Sequence, residues 1–249
     1  MKIVVFGGTG LIGSQVVRLL GQAGHEVVAQ SPSTGVNTVT GEGVAGAVAG
    51  ADVVVDVTNS PSFAPDDVLA FFRASTGNLL AAEKAAGVGH HVALSVVGAD
   101  RSPDSTYLPA KVAQEKLIAA GGVPYTIVRA TQFFEFLGAI ADSATDGGAV
   151  HIAPVAFQPM ASADVARAVA DAAVAPPVNG AVETAGPDRL GFDQAIRQAL
   201  AAKGDHRTVV ADPAATYFGQ VQTDETVVPI GDYRPGAVHL TDWLAAQAR

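Results

Sequence analysis

The chain has no cysteine among its 249 residues, which excludes disulfides, thiolate zinc sites and a cysteine nucleophile. It has no apolar run of the ~18 residues that a membrane span requires. Its first residues show neither the charged region nor the apolar region of a signal peptide, so we expect no export leader. It also has no run of basic residues, and its net charge is −9, which argues against nucleic acid or an anionic membrane as a partner. We expect a cytoplasmic protein that acts on a small molecule, as a monomer or a homodimer.

Two kinds of catalytic pattern are missing as well. The six histidines lack the spacing of metal ligands, and the adjacent pair His90 and His91 points apart if it lies on a strand. No G-x-S-x-G motif is present, so the nucleophile elbow of an α/β hydrolase is excluded. We therefore expect neither a metal site nor Ser-His-Asp hydrolysis.

What the sequence does contain is a glycine-rich turn near its start. Apolar residues at 3–6 predict a buried strand, and helical spacing resumes at 15–20. Two overlapping patterns fit the turn between them, G-x-G-x-x-G at Gly8, Gly10 and Gly13 and G-x-x-G-x-x-G at Gly7, Gly10 and Gly13. Such glycines allow a sharp reversal, close approach to a phosphate and tight helix–strand packing, and the helix N-terminus attracts a pyrophosphate. The turn therefore predicts a dinucleotide site, the alternative being a turn that binds nothing.

Strand-like and helix-like segments then alternate through the first half of the chain. Strands are predicted at 26–30, 51–58, 91–97 and 125–129, and helices at 41–50, 66–73, 76–86 and 109–120. Alternation of this kind with short loops is typical of an α/β fold, a Rossmann-type doubly wound parallel sheet. We expect one NAD(P)-binding unit over 1–249, with its cofactor-binding core at about 1–130.

The pattern changes at about residue 131, where we expect a smaller, mixed substrate lobe (131–249) to begin. Ser162 is predicted to be the N-cap of a helix that Pro176 and Pro177 terminate. Further strands are predicted at 182–184 and 208–210, and further helices at 192–203 and 240–248. No linker separates this lobe cleanly from the core.

The end of the second strand bears on the choice of cofactor. NAD-preferring folds place an acid there to bind the ribose 2′-OH, whereas residues 30–34 read Gln-Ser-Pro-Ser-Thr. The hydroxyls of Ser31 and Ser33 can hydrogen-bond a 2′-phosphate, although no Arg or Lys accompanies them. We expect NADP(H) to be favoured over NAD(H), with a plain Ser/Pro turn as the alternative.

Tyr107 and Lys111 stand four residues apart, so on a helix they share a face. An unperturbed tyrosine has a pKa of about 10, and a nearby ammonium would lower that pKa enough for acid/base catalysis. Ser95, at the end of the preceding strand, would hold the substrate oxygen together with Tyr107. The alternative is a surface Lys111 paired with Glu115 and a Ser95 that satisfies a turn.

Several of these segments together resemble one family. They are Gly-Gly-Thr-Gly-Leu-Ile-Gly at 7–13, Ser95, the Tyr107/Lys111 pair with Glu115, and Pro-Tyr-Thr-Ile-Val-Arg at 124–129 followed by Gln132 and Phe133. They resemble the short-chain dehydrogenase/reductase superfamily, in its atypical, NmrA-like and NAD(P)H:quinone-reductase-like branch, over about residues 1–136. The resemblance implies catalytic roles for Ser95, Tyr107 and Lys111, with Lys111 also holding the nicotinamide ribose. It implies a dinucleotide site lined by Gly7, Thr9, Gly10, Leu11, Ile12, Gly13, Thr58, Asn59, Ala130, Thr131 and Phe133.

Three phenylalanines cluster just after the predicted core, at Phe133, Phe134 and Phe136, in a chain with only 6% aromatic residues. We expect them to be partly core and partly a flat apolar wall for a substrate. The expected function is an NADP(H)-dependent oxidoreductase that transfers hydride between nicotinamide and a carbonyl, alcohol or quinone-like molecule. A non-catalytic, NmrA-like NADP redox sensor and a sugar-nucleotide epimerase are the alternatives.

Overall fold

The structure, a computed structural model, describes residues 1–247. Its strands are β1 (Lys2–Phe6), β2 (Glu26–Gln30), β3 (Val53–Asp56), β4 (His90–Val96), β5 (Tyr125–Ala130), β6 (Thr145–Asp146), β7 (Ala149–Ile152), β8 (Ala156–Phe157), β9 (Gly180–Ala185), β10 (Leu190–Gly191), β11 (Thr208–Ala211), β12 (Thr216–Tyr217), β13 (Gln220–Val221) and β14 (Arg234–Pro235). Its helices are α1 (Leu11–Gln22), α2 (Val44–Val48), α3 (Pro65–Ala86), α4 (Leu108–Ala120), α5 (Leu137–Ser143), α6 (Ser162–Val174), α7 (Phe192–Ala202) and α8 (Leu240–Gln247).

Seven parallel strands form the main sheet, in the order β14-β9-β5-β4-β3-β1-β2. Strand β1 pairs with β2 on one side and with β3 on the other, so the order in which strands are added to the sheet reverses at β1. Such a switch point opens a crevice at the carboxyl ends of the strands, where α/β proteins bind ligands. The predicted Rossmann-type doubly wound sheet is confirmed, and smaller sheets occur in the C-terminal region.

Both faces of the sheet are covered because its central strands are apolar on both sides. Along β1, Ile3 and Val5 face α1 and α6, whereas Val4 and Phe6 face α2 and α3. The sheet also takes β9 and β14 from beyond residue 131, so the C-terminal region completes the cofactor-binding core as well as forming a lobe. That lobe has its own core, with Phe134, Phe157 and Phe192 among its members. Within residues 1–247, no helix is both long and apolar enough to cross a bilayer.

Two local predictions are wrong. Helix α3 is continuous from Pro65 to Ala86, where two helices were expected on either side of residues 74–75. It continues because Ser75 and Thr76 are fully buried, and the Ser75 hydroxyl donates to Thr38 Oγ1 at 2.9 Å. The last helix was predicted to extend to Ala248, and this residue lies outside the described residues.

The second error concerns the start of α6. Ser162 is its first helical residue, and Ala161 occupies the N-cap position without a side-chain cap. The acceptor comes instead from Glu135, whose carboxylate receives the Ser162 N–H at 3.1 Å and the Ser162 hydroxyl at 2.6 Å. A residue from the lobe therefore caps a helix of the core.

Candidate active site

The glycines of the first turn have distinct structural roles. Gly7 has a φ of +77°, and a Cβ there would lie 2.7 Å from the Val57 carbonyl oxygen. A Cβ on Gly13 would lie 2.1 Å from the Gly7 carbonyl oxygen, so α1 packs directly on the turn. Gly10 lines the cleft, and a Cβ there would meet only the Gly7 oxygen, at 3.3 Å. In the pattern Gly7-x-x-Gly10-x-x-Gly13, the first glycine allows the chain to reverse, the second leaves the backbone open to a ligand, and the third lets α1 pack closely on the turn. Gly8 packs on Ala29 of β2 instead.

The N-terminus of α1 opens onto the same cleft. Gly10 is its N-cap, no side chain caps it, and its first turn contains no acidic residue. The first N–H groups of a helix have no intrahelical partner, and the helix dipole makes that end partially positive. These features favour the binding of a phosphate group.

A continuous cleft of about 1150 Å³ runs along the carboxyl ends of β1, β3, β4 and β5 into the C-terminal lobe. It is lined by most of the residues that the sequence analysis proposed: Gly7, Thr9, Gly10, Leu11, Ile12, Gly13, Ser31, Thr58, Asn59, Ser95, Tyr107, Lys111, Ala130, Thr131, Phe133 and Phe136. The structure therefore brings the proposed cofactor and catalytic residues to one cavity.

Ser33 and Phe134 were expected at this cleft but do not line it. Ser33 is exposed, and its hydroxyl lies 2.7 Å from that of Ser31. Phe134 is 1% exposed in the core of the lobe, because its N–H donates to the Met160 carbonyl and the turn there directs its ring inward. Phe133 and Phe136 stack on each other instead, with centroids 5.4 Å apart.

At the proposed ribose end, Ser31 is nearly buried and forms a tight turn. Its N–H donates to Thr34 Oγ1 at 3.0 Å, and the Thr34 hydroxyl contacts Gln30 Oε1 at 2.8 Å. Among the described residues that line the cleft, none is acidic and Lys111 alone is basic. A 2′-phosphate would therefore meet no carboxylate and no cationic side chain at this turn.

Tyr107 directly precedes α4, as the sequence predicted, and its hydroxyl donates to Asn59 Oδ1 at 2.8 Å. Burial raises the pKa of this phenol above its ordinary value of 10.0. The expected lowering by Lys111 is therefore wrong for this structure. The phenol holds its proton firmly at neutral pH.

The reason lies in the position of Lys111, which is 3% exposed. Its ammonium donates to the Leu94 carbonyl oxygen at 2.9 Å and to Gln114 Oε1, and it lies 4.1 Å from the centroid of the Phe72 ring. Burial lowers the pKa of Lys111 to about 8, against the attraction of Asp56 and Glu115. The ammonium is therefore held by β4 and α4 rather than by the phenol.

Ser95 is also tied to neighbours. Its hydroxyl donates to Glu115 Oε1 at 2.5 Å, and Glu115 in turn pairs with Arg129 at 2.6 Å. Because a hydroxyl has one proton and two lone pairs, Ser95 can still accept a hydrogen bond from a substrate hydroxyl. Arg129 also pairs with Asp100. The alternative expected for Lys111, a surface ion pair with Glu115, is not found among residues 1–247, since Lys111 is buried.

Two groups of residues, one behind the cleft lining and one within it, were not predicted from the sequence. The first is a buried polar chain in which Gln114 Nε2 donates to Asp56 Oδ2 at 3.0 Å and links that carboxylate to Lys111. Asp56 ends a buried apolar strand, which is a signal that could have identified it. The second is an aromatic group that includes Phe63 and Phe218, from loops without periodic patterning.

Comparison with known proteins identifies the family. A family model described as NAD(P)H-binding matches residues 7–176. The chain belongs to this NAD(P)H-binding family. No curated protein sequence matches it significantly.

Solved structures show the same fold around the NAD(P)H-binding core. A UDP-glucose 4-epimerase from Thermotoga maritima, solved with UDP-glucose, has a TM-score of 0.76 at 17% identity, over 100% of this chain and 97% of that chain. A short-chain dehydrogenase/reductase superfamily protein from Agrobacterium tumefaciens with bound NAD has a TM-score of 0.75 at 19% identity, over 100% and 96%. The expected resemblance to that superfamily is confirmed at the level of the fold and of the NAD(P)H-binding family, and its NmrA-like branch is compatible with these matches.

The cleft fits the ligand of an NAD(P)H-binding protein. Gly10 leaves space beside the positively polarised end of α1, where a pyrophosphate would lie. The cavity of about 1150 Å³ exceeds the ~300–1,000 Å³ of ordinary small-molecule sites. It therefore has room for a dinucleotide together with a small second molecule.

Proposed function

We propose that the protein is an NADP(H)-dependent oxidoreductase that reduces or oxidises a carbonyl, alcohol or quinone-like small molecule. The observation that carries this proposal is the single cleft that joins the glycine turn to the Tyr107 hydroxyl. When bound, the nicotinamide supplies or accepts the hydride. The protein's part is to position the substrate and to move a proton.

Tyr107 is the proposed proton donor. At neutral pH its oxygen carries the proton that a carbonyl oxygen takes up during reduction. Burial raises its pKa and makes it a weaker acid than an ordinary tyrosine, so the proton moves only as the arriving hydride turns the substrate oxygen into a strongly basic alkoxide. Asn59 Oδ1 accepts the hydrogen bond and so orients the hydroxyl in the free protein. These features favour the reductive direction.

Lys111 is the proposed ligand of the nicotinamide ribose. An ammonium has three N–H donors, and two of them bind the Leu94 carbonyl and Gln114. The third remains for a ribose hydroxyl. Ser95, whose proton goes to Glu115, would accept a hydrogen bond from the hydroxyl of the alcohol form of the substrate. A carbonyl has no proton to donate, so Ser95 would not bind the carbonyl form in this arrangement.

The cofactor preference and the substrate class rest on the two ends of the cleft. Gln30 and Ser31 present no carboxylate to repel a 2′-phosphate, and the Ser31 hydroxyl can donate to it, which supports NADP(H) over NAD(H). The rings of Phe133 and Phe136 give the other end an apolar wall. Such a wall suits a flat, weakly polar substrate.

The experiment is NADPH oxidation measured with a panel of quinones and ketones. Tyr107→Phe is expected to lower kcat by about 100-fold or more, since a positioned acid contributes 10²–10⁴-fold, and to leave NADPH binding intact. Tyr125→Phe, on β5 outside the cleft lining, is the control. Undiminished turnover in Tyr107→Phe would remove this residue from the mechanism.

Two alternatives fit the same cleft. The structural neighbours include UDP-glucose 4-epimerases, and interconversion of UDP-glucose and UDP-galactose without net redox change would favour that reaction. The commitment of the Ser95 proton to Glu115 suits a redox sensor. A sensor would bind NADP(H) tightly, turn over no substrate and bind a protein partner differently with NADP and NADPH.

A further inference from the structure

A hairpin in the C-terminal lobe has an unusual residue at its tip. Phe218 and Gly219 join β12 to β13, with φ values of +49° and +80°. Two-residue loops with positive φ at both positions are type I′ turns, which favour Asn-Gly because a bulky side chain is strained there. Within residues 1–247, the other non-glycine residue with positive φ is Asn179, a type that tolerates this conformation. Phe218 is therefore strained where asparagine would not be.

The ring of Phe218 lies on the proposed proton donor. Its centroid is 5.3 Å from that of Tyr107, with the rings 24° from parallel. Phe72 also packs against the phenol, and its ring meets the Tyr107 ring edge-on, with centroids 6.2 Å apart and an interplanar angle of 80°. The Tyr107 ring thus has one stacked and one perpendicular neighbour, which are geometries that aromatic pairs favour. Phe63 is a third neighbour, tilted by 44° at 6.1 Å.

Hydrogen bonds connect the hairpin to the segment that carries Tyr107. The Phe218 carbonyl accepts the Thr106 N–H at 2.8 Å, one residue before Tyr107. Gln220 Oε1 accepts the Asp104 N–H at 3.1 Å. The tip and the phenol therefore keep a fixed relation, although more than 100 residues separate them in the sequence.

Burial alone does not explain a phenylalanine at this tip. Phe218 is only half-buried and lines the cleft, unlike the fully buried Phe157 and Phe192 of the lobe core. Strained backbone persists where the surrounding contacts maintain it, and it clusters at functional sites. The ring of Phe218 contacts Tyr217, Phe63 and Tyr107, and the stack on Tyr107 is the contact that bears on the proposed chemistry.

We propose that Phe218 is a positioning residue for Tyr107, which fixes the plane of the phenol and keeps water from its hydroxyl. This inference rests on the proposed function, in which Tyr107 donates the proton. The burial that raises the pKa of Tyr107 agrees with such a cover. The partner ring Phe63, 6.2 Å from Phe218, extends the cover.

The test compares Phe218→Asn with Phe218→Tyr, using Val221→Ala on the same hairpin as the control, since Val221 is exposed and outside the cleft lining. Asn relieves the turn and removes the ring, so we expect an unchanged or higher Tm with kcat lower by about 2- to 10-fold, the rate equivalent of one aromatic pair. KM is expected to stay within about twofold, because the ring acts on the donor. Phe218→Tyr is expected to keep the wild-type kcat.

Ultraviolet titration of the phenols gives a readout that does not need turnover. The spectrum of Tyr107, obtained by subtracting Tyr107→Phe, is expected to show ionisation at lower pH in Phe218→Asn than in the wild type. An Asn variant with wild-type kcat and wild-type titration would overturn the proposal, and so would a loss confined to KM. If the Asn variant does not fold, Phe218→Leu makes the same comparison with the strain retained. If the wild type turns over no substrate, the proposed function fails, and the titration still decides the role of Phe218.

Discussion

Alanine at Gly10 and alanine at Gly13 are expected to fail for different reasons. A methyl group on Gly13 would lie 2.1 Å from the carbonyl oxygen and 2.7 Å from the carbonyl carbon of Gly7. Both are backbone atoms of the turn, so α1 would have to move away from β1. A methyl group on Gly10 meets one atom, at 3.3 Å, and otherwise projects into the cleft. The first change damages the fold and the second the binding site.

The magnitudes follow from these contacts. Overpacking a core costs about 1–3 kcal/mol or more, which outweighs the gain of ~1 kcal/mol from replacing a helical glycine by alanine. We expect Gly13→Ala to lower the free energy of unfolding by about 2 kcal/mol. Gly10→Ala loses a favourable N-cap residue, at roughly 0.5 kcal/mol. Its main effect is on the affinity for NADPH, which we expect to fall at least ~10-fold, or about 1.4 kcal/mol.

Urea unfolding and calorimetric titration with NADPH separate the two effects. Gly21→Ala is the matched control, because Gly21 lies in the same helix with no heavy atom within 4 Å of its Cβ position. It is expected to gain up to about 1 kcal/mol of stability with unchanged affinity. A Gly10→Ala protein that binds NADPH like the wild type, or a Gly13→Ala protein of wild-type stability, would refute the roles assigned to these glycines.

Two further predictions concern stability. Glu135→Ala removes the acceptor for the Ser162 N–H and hydroxyl. It should lower the free energy of unfolding, measured with urea, by about 1–2 kcal/mol. An unchanged free energy would show that α6 needs no acceptor from the lobe. Burial and the neighbouring His91 lower the pKa of His90 from its ordinary 6.5 to about 4. The unfolded chain therefore protonates this histidine at a higher pH than the folded chain does. The free energy of unfolding should accordingly fall as the pH drops from 6.5 towards 4. His90→Gln is expected to flatten that part of the stability profile, and an unchanged slope would contradict the assignment.

The first half of the fold was predictable from the sequence because its signals are local. The glycine turn, the apolar run at β1 and the apolar run at β3 each consist of residues that are adjacent in the sequence, so periodicity and turn chemistry identify them. The break predicted near Ser75 was wrong because small polar residues there are buried against Thr38, a partner that periodicity does not reveal. Local patterns fix element type better than they fix long-range partners.

The site was predictable in its membership but not in its couplings. Helical spacing placed Tyr107 and Lys111 at one cleft, as found. It did not reveal that Leu94 of β4 and Gln114 would bind the ammonium, or that burial would raise the phenol pKa. Phe218 carries no periodic signal, since its contact with Tyr107 depends on how two distant loops meet.

Calorimetric titration of the purified wild-type chain with NADPH and with NADH tests most directly whether the cleft at the glycine turn holds a nicotinamide dinucleotide. We expect one NADPH to bind per chain, more tightly than NADH, and Gly10→Ala to weaken the binding. Absence of binding for both nucleotides would contradict the assignment of the cleft and, with it, the proposed oxidoreductase activity.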